Sequence, residues 1–257
     1  MKAVILAGGF GTRLSEETHL RPKPMVEIGG RPMIFHIMSY LASFGIKDFI
    51  ICCGYKGYSI KEYFLNFHSH NSDLKIDLSQ GSFEVLQKHS VDWNVTLVDT
   101  GLTSMTGGRL GRVKNLLAQE EMFLFTYGDG LSDINIHDLV AFHKNHGKSA
   151  TVSAVYPPGR FGALEIQKDG IVSSFTEKPN GDGGRINGGY FILDPKVTDL
   201  IKNDQTVWEE EPLKTLAKDG ELFSFEHDGN WHAMDTLRDK EFLEAQWKSG
   251  KAFWKVD

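Results

Sequence analysis

Near the start of the chain an apolar run, Ala3-Val4-Ile5-Leu6, leads without a break into Ala7-Gly8-Gly9-Phe10-Gly11-Thr12-Arg13. A short unbroken apolar run bounded by glycine reads as a strand buried on both faces, as in parallel sheets covered by helices. Glycines placed directly after such a strand let the backbone approach a ligand and turn successive N–H groups toward an anion. Thr12 adds a hydroxyl, Arg13 a planar cationic fork, and Lys23, between Pro22 and Pro24, a mobile point charge. All these groups are donors or cations, which suits phosphate. The segment is neither a Walker loop, because no Gly-Lys-Ser/Thr follows, nor the G-x-G-x-x-G dinucleotide fingerprint.

The rest of the chain repeats the alternation. Asp48 to Cys53, Trp93 to Val98, Met122 to Thr126 and Ala150 to Tyr156 read as strands, and Met33 to Phe44, Tyr58 to Phe64, Gly111 to Ala118 and Asn135 to His146 as helices. Further strands are expected at Gly162 to Ile166, Val172 to Thr176, Gly189 to Leu193 and Leu222 to His227, and helices at Trp208 to Lys218 and Leu237 to Lys248. That order predicts an α/β fold, a Rossmann-like, mostly parallel mixed sheet flanked by helices, with a small β-rich insertion and C-terminal part. With no Pro/Gly/Ser linker and no internal repeat, residues 1–257 are read as one domain. Residues 66–92 break the rhythm: they are polar and carry His68, His70 and His89 without metal-ligand spacing, which favours an inserted loop or hairpin over a metal site. We expect that insertion to make an oligomer contact.

A net charge of −6 argues against nucleic acid and acidic membranes as partners, so any cationic site must be local. No apolar run reaches the ~20 residues of a transmembrane helix. Cys52 and Cys53 are neighbours in an apolar run and cannot close an unstrained disulfide, so they are expected to be reduced core residues of a cytoplasmic protein.

Tyr127-Gly128-Asp129-Gly130 follows an apolar strand, at the carboxyl edge where open α/β sheets bind ligands. Asp129 there is either a turn residue or a magnesium ligand completed by substrate phosphates. Asp235, in Trp231-His232-Ala233-Met234-Asp235-Thr236, is either a helix N-cap or a second carboxylate. Glu177 and Lys178, in Thr-Glu-Lys-Pro, form a surface turn or an acceptor site in which Lys178 neutralises phosphate and Glu177 accepts from hydroxyls. Beyond the strand ending at Val98, Ser104, Gly107, Gly108 and Arg109 offer a base-reading surface, with Arg109 alternatively directed to the triphosphate or to an adjacent subunit.

Leu6-Ala7-Gly8-Gly9-Phe10-Gly11-Thr12-Arg13-Leu14 together with Arg21-Pro22-Lys23-Pro24 resembles the signature of the sugar-1-phosphate nucleotidylyltransferases, across essentially the whole chain. The run Asp99-Thr100-Gly101 … Thr106-Gly107-Gly108-Arg109 resembles the branch that joins CTP to glucose 1-phosphate, a weaker pointer. The resemblance implies transfer of a cytidylyl group to give CDP-glucose and pyrophosphate, with UTP, dTTP or another sugar 1-phosphate as alternatives and a non-catalytic nucleotide-sugar sensor as the outlying one. It implies Arg13, Lys23 and Asp129 as catalytic residues, and Mg2+ on Asp129 and Asp235. It further implies nucleotide contacts from Leu6 to Arg13, Lys23, Ser104, Gly107, Gly108, Arg109 and Gly128, and sugar-phosphate contacts from Tyr127, Glu177, Lys178, Asn187 and Gly188. A homo-oligomer with sites near subunit interfaces and a role in lipopolysaccharide O-antigen synthesis are further expectations from the resemblance.

Overall fold

The structure, a computed structural model, describes residues 1–87, 91–159, 163–167, 171–176 and 184–256. Its centre is a seven-stranded sheet made of β1 (Lys2–Ala7), β2 (Asp48–Cys53), β3 (Asn94–Asp99), β4 (Phe123–Tyr127), β5 (Ala150–Val155), β6 (Ile186–Leu193) and β7 (Leu222–His227), in the order β7-β5-β6-β4-β1-β2-β3. β1 runs parallel to β2 and β4, β2 to β3, and β5 to β7, while β6 runs antiparallel to both β4 and β5. This is the mostly parallel mixed sheet expected from the alternation.

Both faces of the sheet are covered, which explains why its central strands read as unbroken apolar runs. Alternate residues of a strand point to opposite sides. Ala3, Ile5, Ala7 and Cys53 pack with α1 (Met33–Ser43), α2 (Gly57–Leu65) and later helices on one face, whereas Val4, Leu6 and Cys52 pack with Phe125, Phe191 and Trp208 on the other. Full burial of each large apolar side chain such as Phe125 contributes about 2–3 kcal/mol. Cys52 and Cys53 are both free and buried, and burial pushes the Cys53 thiol up to about 11.

Two expected helices begin elsewhere. The predicted Gly111–Ala118 helix starts instead at Thr106, as α3 (Thr106–Arg112), and is followed by a separate turn at Lys114–Leu117. The glycine pair Gly107-Gly108 disguised its start. Segment 204–206 crosses so close that a Cβ on Gly108 would lie 2.2 Å from the Asp204 carbonyl oxygen, and one on Gly107 2.8 Å from that of Thr206. The predicted Trp208–Lys218 helix starts at Glu211, as α5 (Glu211–Lys218), after α4 (Ile136–His146), and leaves Trp208 buried ahead of it. α6 (Leu237–Lys248) has the expected bounds. Within residues 66–92 a short helix, Phe67–His70, leads into an antiparallel hairpin of Asp73–Asp77 and Ser82–Gln87. No helix among the described residues is long and apolar enough to cross a membrane.

Candidate active site

The loop after β1 is held from below. Gly8 O accepts from Tyr55 N–H at 3.1 Å and Arg109 Nη2 at 2.9 Å, and Gly11 O accepts from Leu14 N–H and Thr18 Oγ1, each at 3.0 Å. Those carbonyl oxygens are therefore committed to the protein and not turned toward an incoming anion. Gly11 has φ +64°, a conformation in which any side chain is strained, and a Cβ there would meet Thr18 at 2.8 Å.

Arg109 is 4% exposed and spreads its guanidinium under three loops. Nη1 donates to Thr100 Oγ1 (2.9 Å), Gly101 O (2.8 Å) and Cys53 O (3.3 Å), and Nη2 donates to Gly8 O and to Leu102 O (3.3 Å). Burial lowers its pKa from the ordinary value. Gly8 and Gly54 are small because this fork passes them: a Cβ would lie 2.1 Å and 2.3 Å from Nη1. The terminal donors of Arg109 hold the backbone in shape, a role that no spacing in the sequence announces.

Lys23 follows Pro22 in a tight turn, Lys23–Met25. Its side chain is 11% exposed, and its ammonium lies 2.6 Å from Asp129 Oδ2 and 2.7 Å from Asp235 Oδ1. Burial alone would lower its pKa, yet the two carboxylates outweigh burial and raise it above the ordinary lysine value. Asp129 sits just beyond β4, next to Gly128, whose N–H donates to Leu6 O at 2.9 Å and whose missing Cβ admits Pro24 at 2.8 Å. Asp235 is not the N-cap of α6. Thr236 is the cap, in a capping box with Asp239, whose Oδ2 accepts from Thr236 N–H (2.8 Å) and Asp235 N–H (3.1 Å). The helix end is thus satisfied without Asp235, whose carboxylate reaches Lys23.

Two clefts meet here. One, about 410 Å3, is lined by Leu6 to Thr12, Lys23, Leu102 to Thr106, Arg109 and Tyr127 to Asp129. The other, about 300 Å3, is lined by Tyr127, Asp129, Asn187 to Tyr190, Trp231 and Asp235. Tyr127 and Asp129 belong to both. Gly189, at φ +79°, lets the Tyr127 ring lie against the backbone, and Trp231 Nε1 donates to Gly188 O at 2.7 Å. Gly107 and Gly108, expected to read a base, are packed against segment 204–206, while their neighbours Ser104, Thr106 and Arg109 line the larger cleft. The Arg13 side chain, Glu177 and Lys178 lie outside the described residues. Glu209 went unnoticed in the sequence because it opens an acidic run, Glu209-Glu210-Glu211, that reads as a solvated helix start. In the fold it accepts from Thr106 Oγ1 at 2.6 Å and from the Tyr127 hydroxyl.

The two carboxylates converge on one cation, so the donor set fits a hard divalent ion completed by phosphate oxygens. Among the described residues no cluster of three or more His, Cys, Asp or Glu offers a rival metal site. A glycine-rich loop, a lysine between two carboxylates and twin clefts thus lie together beyond the carboxyl ends of the parallel strands β1 and β4. The chain belongs to the nucleotidyl transferase family, whose pattern matches residues 2–239. It is 62% identical over 256 residues to the glucose-1-phosphate cytidylyltransferase of Salmonella typhi, covering 100% of this chain and 99% of that one. It is 44% identical over 257 residues to a probable glucose-1-phosphate cytidylyltransferase of Bacillus subtilis, at 100% of both. Among solved structures, HddC from Yersinia pseudotuberculosis matches with a TM-score of 0.70 at 24% identity over 96% of this chain and 99% of that one, a likeness of fold.

Proposed function

We propose that this nucleotidyltransferase joins CTP to α-D-glucose 1-phosphate, giving CDP-glucose and pyrophosphate. The observation that carries the reading is the Lys23 ammonium between Asp129 and Asp235, where the two clefts adjoin. The choice of CTP and glucose 1-phosphate is supported by the full-length relatives named above. In this reading the triphosphate lies along Gly8 to Thr12, and the sugar phosphate occupies the cleft of Tyr127, Asn187 and Gly188. A phosphate oxygen of the sugar phosphate forms a bond to the α-phosphorus as the bond to pyrophosphate breaks on the opposite side. That oxygen is already anionic, so no protein group need remove a proton, and alignment and charge neutralisation carry the rate. Lys23 supplies positive charge at the α-phosphate. Asp129 and Asp235 would hold magnesium, which when bound neutralises charge on the phosphates.

The same reading makes the chain a cytoplasmic homo-oligomer that supplies an activated sugar to surface-polysaccharide synthesis. The test is pyrophosphate release measured for CTP, UTP, dTTP and GTP against several sugar 1-phosphates. CTP with glucose 1-phosphate should turn over fastest by at least about tenfold. Preference for another pair would replace this substrate assignment, and nucleotide binding with no release for any pair would overturn the catalytic reading.

A further inference from the structure

Between the clefts runs a chain of hydrogen bonds with a fixed direction. Trp208 N–H donates to Thr106 Oγ1 at 2.9 Å, and Thr106 Oγ1 donates to Glu209 Oε2 at 2.6 Å. From the other side the Tyr127 hydroxyl donates to Glu209 Oε1. Asn187, across the sugar-side cleft from this phenol, is held by its own turn, its Oδ1 accepting from Gly189 N–H at 2.8 Å. Thr106 lines the nucleotide-side cleft, Asn187 lines the sugar-side cleft, and Tyr127 lines both. The Glu209 carboxylate is the one acceptor in the middle on which the two halves converge. Both of its oxygens are engaged, so a shift of either donor is felt by the other through a single rigid group.

We propose that Glu209 is a positioning residue that couples the two substrate clefts, so that ordering Thr106 against bound nucleotide also fixes Tyr127 for the sugar phosphate. The proposal rests on the two-substrate reading above. The carboxylate is suited to this because it can only accept: with both neighbouring hydroxyl protons directed at it, the Thr106 and Tyr127 oxygens each have one defined orientation. A glutamine at 209 fills the same volume but puts an NH2 donor in place of one carboxylate oxygen, so one of the two hydroxyls must reverse.

Coupling is measured directly as reciprocal binding. The probe is α,β-methylene-CTP, which cannot release pyrophosphate, titrated calorimetrically with and without saturating glucose 1-phosphate in the presence of magnesium. In the native chain glucose 1-phosphate should tighten analogue binding by about fivefold or more. In Glu209→Gln the factor should fall to about one, with the melting temperature held within about 2 °C, while the KM values for both substrates rise by more than kcat falls. Thr106→Val and Tyr127→Phe cut the chain at either end and should each abolish the coupling. Tyr127→Phe should raise the KM for the sugar phosphate and Thr106→Val the KM for CTP. These two variants decide the matter if Glu209→Gln fails to fold. Absence of coupling in the native chain, or coupling retained in the folded variants, overturns the proposal. The native chain assayed with CTP and glucose 1-phosphate tests the functional reading separately. If another substrate pair turns over, the coupling is measured with that pair.

Discussion

A lysine ammonium held by two carboxylates is a substantial concentration of charge for a partly buried site, and Lys23 carries it at 2.6 Å and 2.7 Å. Losing the lysine of such a triad costs more than its own contacts, since two like charges are left facing each other. Lys23→Ala is expected to lower kcat/KM by about three orders of magnitude, with the circular dichroism spectrum unchanged. Lys23→Arg should not restore it, because a planar fork cannot stand where a compact ammonium sits. Near-normal turnover in Lys23→Ala would remove Lys23 from the chemistry. Arg109 has the opposite profile. Its loss removes a buried donor from the carbonyl oxygens of Gly8, Gly101, Leu102 and Cys53 and leaves a void beneath the loops they shape, and urea unfolding of Arg109→Ala should show a loss of about 2–4 kcal/mol. An unchanged unfolding midpoint would mean that the strut is idle.

Among the elements, the hairpin of Asp73–Asp77 and Ser82–Gln87 stands out because its own packing does not account for it. Asp77 closes the turn by accepting from Ser79 N–H and Gln80 N–H, but Ile76, Leu78, Phe83 and Leu86 all lie exposed. An isolated two-stranded hairpin is marginal in water. Exposed apolar side chains in this density mark an interaction surface, and the proposed homo-oligomer would cover them with another copy of the chain. Replacing Leu78 and Phe83 together by serine should lower the mass seen by sedimentation velocity while each chain stays folded. An unchanged mass would exclude the hairpin from the assembly. Also at this scale, α3 illustrates a boundary that local propensity cannot show, since the close pass of segment 204–206 decides where Gly107 and Gly108 belong.

Acid stability is a property of the whole fold, and His143 sets a visible part of it. The ring, 5% exposed, shares Thr151 Oγ1 with His146 at 2.8 Å and 2.7 Å. Burial first, and then the His146 charge, lower its pKa from 6.5 to about 4. A histidine kept neutral in the fold but protonated on unfolding destabilises the fold as pH drops below 6.5 toward 4, because the unfolded chain then binds more protons. Unfolding free energy should fall on the order of 2 kcal/mol between pH 7 and pH 4.5, and His143→Gln should flatten that slope. A slope unaltered by the substitution would assign the loss to other groups.

Much of this architecture was legible from the chain. β1, β2 and β4 are apolar runs dictated by burial on both faces, α6 is a self-capped periodic helix, and the placement of Asp129 beyond β4 follows from the sheet. Glu209, the strut role of Arg109 and the release of Asp235 from capping were not legible. Each depends on a partner 80 or more residues away, or on a competing cap next door, and neither leaves a periodic trace.

The bond from Lys23 to Asp235 spans 212 positions. During synthesis, Lys23 and the first carboxylate, Asp129, leave the ribosome long before the second carboxylate exists. A nascent or prematurely released chain therefore carries an exposed lysine that has one counter-charge instead of two, and no finished site. In the proposed reading, a chain that ends ahead of Asp235 should release no pyrophosphate, and measurable release from such a truncated chain would take the second carboxylate out of the chemistry.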